Sequence, residues 1–244
     1  MTTVILCINT LVGFGFAEDQ EPKKEKRFFN ETSLSAVSTS GNTDTLSLAG
    51  KNDMKYKFSD KWTGSWVVGA IYNETNGVKD AERYFTDLRA DYTITDRWYA
   101  YGLGSWFRDE FAGFDNRIAI GPGAGYRFLI GPKHFLSGEA GLNYTYEDYT
   151  DPAEGDEKFL EGRLYGIYEW AITEKTKFSQ GLEYLQSLNH GSTWKLNSET
   201  GFTVTITEIL ALKVSYSVFY NNDPKPSTLD KTDTIFATSL VVTY

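Results

Sequence analysis

The sequence holds one cysteine, Cys7, two histidines and six prolines among 244 residues. Cys7 lies in a segment expected to be removed. The processed chain then has no thiol, which excludes a disulfide frame and thiolate chemistry. With so little His and Cys, no metal cluster of those residues is expected, and no cofactor. Positive charge is also short, with 24 Lys and Arg against 33 Asp and Glu and a net charge of −9. Phosphate binding needs concentrated Lys and Arg, so a nucleic-acid partner is not expected. No stretch approaches the ~20 apolar residues of a membrane helix. If this chain crosses a bilayer, it must do so as strands.

What is abundant suits strands. Aromatics make up 16% of the residues and there are 22 glycines. That mixture favours pleated segments and tight turns. Mean hydropathy is −0.39, which reads as soluble. The average misleads for a transmembrane barrel, whose strands alternate apolar and polar residues.

The chain begins MTTVILCINTLVGFGFAEDQ. Val4 to Phe16 is an apolar run too short for a spanning helix. Gly15-Phe16-Ala17 offers small residues where a signal peptidase reads, so residues 1–17 are expected to be a cleaved signal peptide. Residues 18–27, EDQEPKKEKR, form a charged periplasmic tether, and 28–244 form the barrel.

From Phe28 the chain divides into about twelve alternating segments, near 28–40, 43–58, 62–74, 82–95, 98–109, 116–129, 134–148, 158–172, 176–188, 194–206, 210–221 and 232–244. Tight turns such as Ser59-Asp60-Lys61 and Thr95-Asp96-Arg97 take turns with connections that are mostly longer and polar, at 74–81, 109–115, 150–157, 189–192 and 221–231. This short–long alternation predicts an all-β, transmembrane, up-and-down antiparallel barrel with both termini on the periplasmic side.

Alternation alone suits a soluble sandwich too, whose apolar face packs inside. Three features favour the membrane. The segments are longer than the ~5–6 residues of a typical strand. Aromatics gather near segment ends: Trp62, Tyr92, Trp98, Tyr99 and Trp170 at one set of turns, and Tyr72, Tyr84, Phe107, Tyr146, Trp194 and Tyr220 at the other. Rings so placed sit between acyl chains and water. Finally, the chain closes on an amphipathic strand carrying Phe236, Leu240, Val242 and Tyr244 on one face. That period-two stripe looks like the signal by which the barrel assembly machinery selects its precursors. Outer-membrane lipid is the other expected partner.

The segments STSGNTDTLSLAGK (Ser38 to Lys51) and NRIAIGPGAGYRF (Asn116 to Phe128) resemble the Gram-negative outer-membrane family called domain of unknown function 481, also described as salt-induced outer-membrane proteins. The resemblance covers Phe28 to Tyr244. It implies an outer-membrane barrel and implies no activity or functional residue.

The face opposite the apolar one carries mixed charge: Lys51, Asp53, Lys55, Asp87, Arg89, Asp91, Arg108, Arg117, Arg127, Glu139, Glu161, Arg163, Glu169, Glu183, Lys195, Glu199 and Lys213. These residues predict either a polar pore whose charges set selectivity or a lumen filled by ion pairs between neighbouring strands. Gly69, Gly102, Gly104, Gly121, Gly123, Gly125 and Gly141 are expected to face inward as well, with a bulge at Pro122, which lacks an amide donor. His134 and His190 lie at turns without a clear Ser partner, so an enzyme is not expected. The expected function is a narrow passage for small polar solutes or ions. The alternatives are a non-conducting envelope barrel and a surface-binding module using the loops at 149–157 and 221–231.

Overall fold

The computed structural model describes residues 27–39, 44–189 and 191–243. The expected signal peptide, tether residues 18–26, His190 and Tyr244 lie outside them. Twelve strands run β1 (Phe28–Thr39), β2 (Thr45–Lys57), β3 (Trp62–Thr75), β4 (Val78–Thr93), β5 (Trp98–Asp109), β6 (Phe114–Ile130), β7 (His134–Tyr149), β8 (Asp156–Ala171), β9 (Thr176–Ser187), β10 (Trp194–Thr205), β11 (Leu210–Asn221) and β12 (Thr232–Thr243). Each strand pairs antiparallel with its chain neighbours, and β12 returns to β1 to close the barrel. Closure satisfies backbone groups that hydrocarbon cannot.

The short turns share one chemistry. The hydroxyl of Ser59, Thr95 or Thr173 accepts from the amide three residues on, at 3.1, 2.9 and 3.0 Å. The backbone then closes from Ile94 to Trp98, Ile172 to Thr176 and Ile206 to Leu210. A Ser or Thr at the turn thus replaces a missing ladder partner. This is the physical content of the recurring TITD, AITE and TITE stretches.

At the other rim, one connection is much shorter than its polarity suggests. The stretch 74–81 is a two-residue hairpin in which Asn76 and Gly77 both take positive φ, 52° and 75°. That is the mirror-image turn whose twist matches the strands. Polar side chains there decorate strand ends rather than a loop. The expected bulge at Pro122 is also absent. Pairing of β6 with β7 skips Gly121 and Pro122 but resumes in the same register, Ile120 with Tyr144 and Gly123 with Gly141. The backbones crowd there instead: a β-carbon on Gly121 would stand 1.9 Å from the Leu142 carbonyl oxygen.

The outer surface is apolar. Ile120 is 63% exposed, Leu88 59% and Phe236 71%, and nearly every strand carries such residues at alternate positions. Aqueous proteins do not display so continuous an apolar wall, whereas lipid-facing barrel walls do. Ring pairs mark both ends of this band. Trp62–Tyr92 and Trp98–Tyr126 lie at the short turns, with ring centres 5.0 and 4.8 Å apart, and Trp194–Tyr220 lies at the long loops at 4.9 Å. Phe236, Leu240 and Val242 share the outward face.

One strand reverses the expected sidedness. On β5, Tyr99, Tyr101, Phe107 and Asp109 are buried inside. Gly102, Gly104 and Arg108 therefore face outward, and Arg108 lies on the outer wall beside Tyr84 rather than in the lumen. Tyr99 and Phe107 correspondingly leave the membrane girdles for the interior.

Leu88 lies mid-strand on the outer wall, opposite Trp66 and Gly104. Leu88→Arg is expected to destabilise the barrel by about 2–4 kcal/mol. Denaturant titration of the protein folded into lipid vesicles measures this, and an unchanged midpoint would reverse the face assignment.

Candidate functional site: the charged lumen

The interior is built by fitting rings onto glycines. A β-carbon on Gly123 would stand 2.2 Å from the Tyr101 ring, and one on Gly125 would stand 2.1 Å from the Tyr99 ring. The two tyrosines of β5 thus lie flat across β6 and reach toward β7. The same fit recurs where Phe85 covers Gly69.

The tyrosines meet the first of two ionic networks. Glu139 accepts from Tyr99 Oη at 2.8 Å, from Arg89 Nη2 at 2.7 Å and from Arg163 Nη1 at 2.8 Å. Arg163 also donates Nε to Glu183 at 2.7 Å and Nη1 to Tyr101 Oη at 2.9 Å. Arg89 binds Asp91 at 2.7 Å, and Asn197 donates to Glu183 at 2.9 Å. Arg163 is 1% exposed at its side chain. Its guanidinium packs 4.9 Å from the Tyr165 ring centre, while that of Arg89 lies 4.2 Å from the Tyr101 ring centre. Burial of this much charge is tolerable only because each group has opposite partners and hydrogen bonds.

The second network lies nearer the long loops. Arg117 binds Glu147 at 2.7 Å and Glu161 at 3.0 Å, Lys195 pairs with Glu147, and Tyr149 donates to Glu147 at 2.8 Å. Beside it, Val67, Phe85, Phe107, Ala112, Phe114, Tyr149 and Phe219 form an apolar cluster inside the barrel. Arg83 pairs with Asp109 at its edge. Residues 222–231 fold over this end as a strap. Lys225 Nζ donates to Glu157 at 2.6 Å, and a β-carbon on Gly113 would stand 2.4 Å from the Lys225 carbonyl oxygen. The hydrogen bond to Glu157 raises the Lys225 pKa above the ordinary lysine value, so this tie persists through neutral pH.

The remaining predicted charges lie elsewhere in the barrel. Lys213 binds Glu199 at 2.7 Å and Lys177 binds Glu169 at 3.2 Å. Arg127 covers the Tyr99 ring and donates to the Asp96 carbonyl at 2.9 Å. Lys51, Asp53 and Lys55 follow one another down the inner face of β2, and Asp87 faces inward from β4. Small residues surround them: Ser33 opposite Lys51, Ser239 opposite Lys213, and Ser217 opposite Glu199. The lumen is therefore asymmetric, filled by rings and guanidinium groups on the β5–β9 side and lined by short side chains on the β10–β2 side. Glu147, Arg83 and Asp109 were not singled out from the sequence. Counting by twos from Glu139 and from Asp87 reaches Glu147 and Arg83 directly.

Arg163→Met removes the cation between two buried carboxylates. A loss of about 3–5 kcal/mol is expected, read as a lowered denaturant midpoint in lipid vesicles. Gly123→Ala is expected to cost about 1–3 kcal/mol through overpacking. In a Tyr101→Ala background that cost should largely vanish, which a double-mutant cycle measures.

Comparison with known proteins agrees with this architecture. The chain is 32% identical over 216 residues to the uncharacterized protein YdiY of Escherichia coli strain K12, covering 88% of this chain and 82% of that one. An outer-membrane channel from Pseudomonas putida F1 superimposes with a TM-score of 0.56 at 10% identity, over 92% of this chain and all of that one. The translocator domain of the autotransporter NalP from Neisseria meningitidis gives 0.52 at 13% identity, over 89% and 87%. The NanC porin gives 0.51 at 8% identity, over 88% and 97%. These structural likenesses show the fold, that of outer-membrane β-barrels. Residues 32–244 match the family model described as protein of unknown function DUF481, and the chain belongs to that family.

Proposed function

We propose that this protein is a narrow, non-catalytic passage in the outer membrane for small polar solutes or ions. The observation that carries the reading is the unequal filling of the lumen. On one side Glu139, Arg163 and Glu183 are almost wholly buried. On the other, Lys51 and Lys213 stand opposite Ser33 and Ser239, short side chains that leave the wall uncovered. A passage along that second wall would have room for water and small hydrated solutes, with Lys51 and Lys213 opposing Asp87 and Glu199. Selectivity then arises from those few charges, Lys213 and Glu199 acting as a bound pair, rather than from the two buried networks. Two of the structurally similar proteins, one described as a porin and one as an outer-membrane channel, support this reading.

A second reading is a non-conducting envelope barrel. The strap and the two networks favour it, because together they cover one end and cross the interior. Planar-bilayer recording separates the two. Small, steady unit currents are expected, with Lys51→Glu shifting the reversal potential toward cations. Silence of the wild type and of Lys225→Ala, which frees the strap, would favour the envelope role.

A further inference from the structure

The outer wall is not apolar throughout. On β1 and β2, Asn30, Thr32 and Asn52 share the outward side with Leu34 and Leu48. Asn52 lies opposite Val68 of β3, six residues beyond Trp62 of the girdle, and Asn30 lies one row nearer the short turns, opposite Met54. At 3.3 Å per residue and a tilt near 40°, six residues rise about 15 Å, the middle of an apolar band ~25 Å tall. Two carboxamides thus stand inside that band on the lipid-facing side, where polar groups are expensive. The wall beside them is only partly zipped. Among the described residues, β1 pairs with β12 only from Glu31 opposite Thr243 to Leu34 opposite Leu240, so residues 35–39 of β1 and 232–239 of β12 carry no partners across the seam.

The three polar side chains leave one donor and one acceptor over. Asn52 spends both amide hydrogens, on Asn30 Oδ1 at 3.1 Å and on Thr32 Oγ1 at 2.7 Å. Asn30 donates once, to Asn52 Oδ1 at 3.2 Å, and Thr32 donates to Asn30 Oδ1 at 3.3 Å. A carboxamide has two donor hydrogens and two acceptor sites. One N–H of Asn30 and one lone pair of Asn52 Oδ1 are therefore unpartnered among the described residues. Another outward carboxamide, Gln180 of β9, differs. It spends both hydrogens, on Ser198 Oγ and on the Gly181 carbonyl at 2.9 Å each, and accepts from Thr200 at 2.6 Å. It keeps no donor to offer a neighbour.

We propose that this protein forms a two-fold dimer in the membrane. The β1–β2 wall of one copy packs on the same wall of a second copy, with the axis along the membrane normal. Such an axis keeps every residue at its own depth and makes the contact self-complementary. The free N–H of Asn30 then meets Oδ1 of the partner's Asn52, and symmetry supplies the reverse bond. The wall also permits close approach: Ala36, Gly50 and Thr238 are small, and no outward residue of β1, β2 or β12 is charged. Small residues and side-chain hydrogen bonds are what hold spanning elements together in lipid. An uncharged wall with one donor and one acceptor to spare complements itself, which selects a second copy as its occupant. That copy also shields the unpaired seam edges from hydrocarbon. The contact does not depend on whether the lumen conducts.

Cysteine cross-linking tests it. With Cys7 the only cysteine in the sequence, no other thiol competes within 27–244. The full chain carries either Met54→Cys, beside the carboxamides, or Leu164→Cys, on the outward face of β8 across the barrel. Each is folded into lipid vesicles at a low protein-to-lipid ratio and oxidised. Disulfide-linked dimer is expected for Met54→Cys and not for Leu164→Cys. Adding Asn30→Leu with Asn52→Leu keeps the wall apolar and removes the donor and the acceptor. Linked dimer should then fall on the order of tenfold, as two lost interfacial hydrogen bonds would give, with the strand content unchanged by circular dichroism. Gly50→Trp, whose bulk holds the walls apart, should cost the dimer as well. The proposal is overturned if Met54→Cys links no better than Leu164→Cys, or if its link survives both the paired leucines and Gly50→Trp. Linkage in cells to a different protein in place of a second copy overturns it equally.

Discussion

Arg163 between Glu139 and Glu183 is the interaction on which the interior depends. One guanidinium ties β8 to β7 and β9, reaches Tyr101 on β5, and shares Glu139 with Arg89 of β4. Five strands thus meet at a single charge. A buried cation of this kind adds little net stability over a well-packed apolar group, but it is intolerant of losing a partner. Its main effect is geometric: it fixes which side of the lumen is filled, and by default which side stays open to short side chains.

The outer wall obeys a different constraint. Lipid supplies no hydrogen bonds, so the ladder must supply them, and among the described residues it is interrupted along part of the β1–β12 seam and at Gly121-Pro122 of β6. Interior and exterior therefore divide the work. The wall is held by backbone pairing within an apolar band, and the cross-section is held by ion pairs, rings and glycines.

Much of the architecture was legible because strand periodicity is local. Tight turns and alternating faces located all twelve strands, and the inward stripes of β6, β8 and β11 came out with the correct sides. The polar stretch 74–81 misled because polarity does not distinguish a loop from strand ends beyond a membrane. β5 misled for a subtler reason. In YAYGLGSWFRD both stripes carry aromatics, and Arg108 and Asp109 put a charge on each. The side facing inward is settled by its neighbour: Gly123 and Gly125 leave space for the rings of Tyr101 and Tyr99. That is a cross-strand fact, absent from either strand alone. The strap and the half-zipped seam depend on still longer-range geometry and leave no periodic trace.

The ring-on-glycine fit also bears on how the wall assembles. Gly123 and Gly125 seat the rings of Tyr101 and Tyr99 on β6, whereas the space beside Gly121 is already taken by the Leu142 carbonyl and the Asn143 side chain of β7. If β5 slid by two residues in one direction, Tyr101 would run into that filled space. Sliding the other way would drive Tyr99 against Arg127. The two seats therefore lock the strands against slippage in both directions. The bend between the two strands adds a second hold, where Asp109 accepts from the amides of Phe111 and Ala112 at 3.0 Å each.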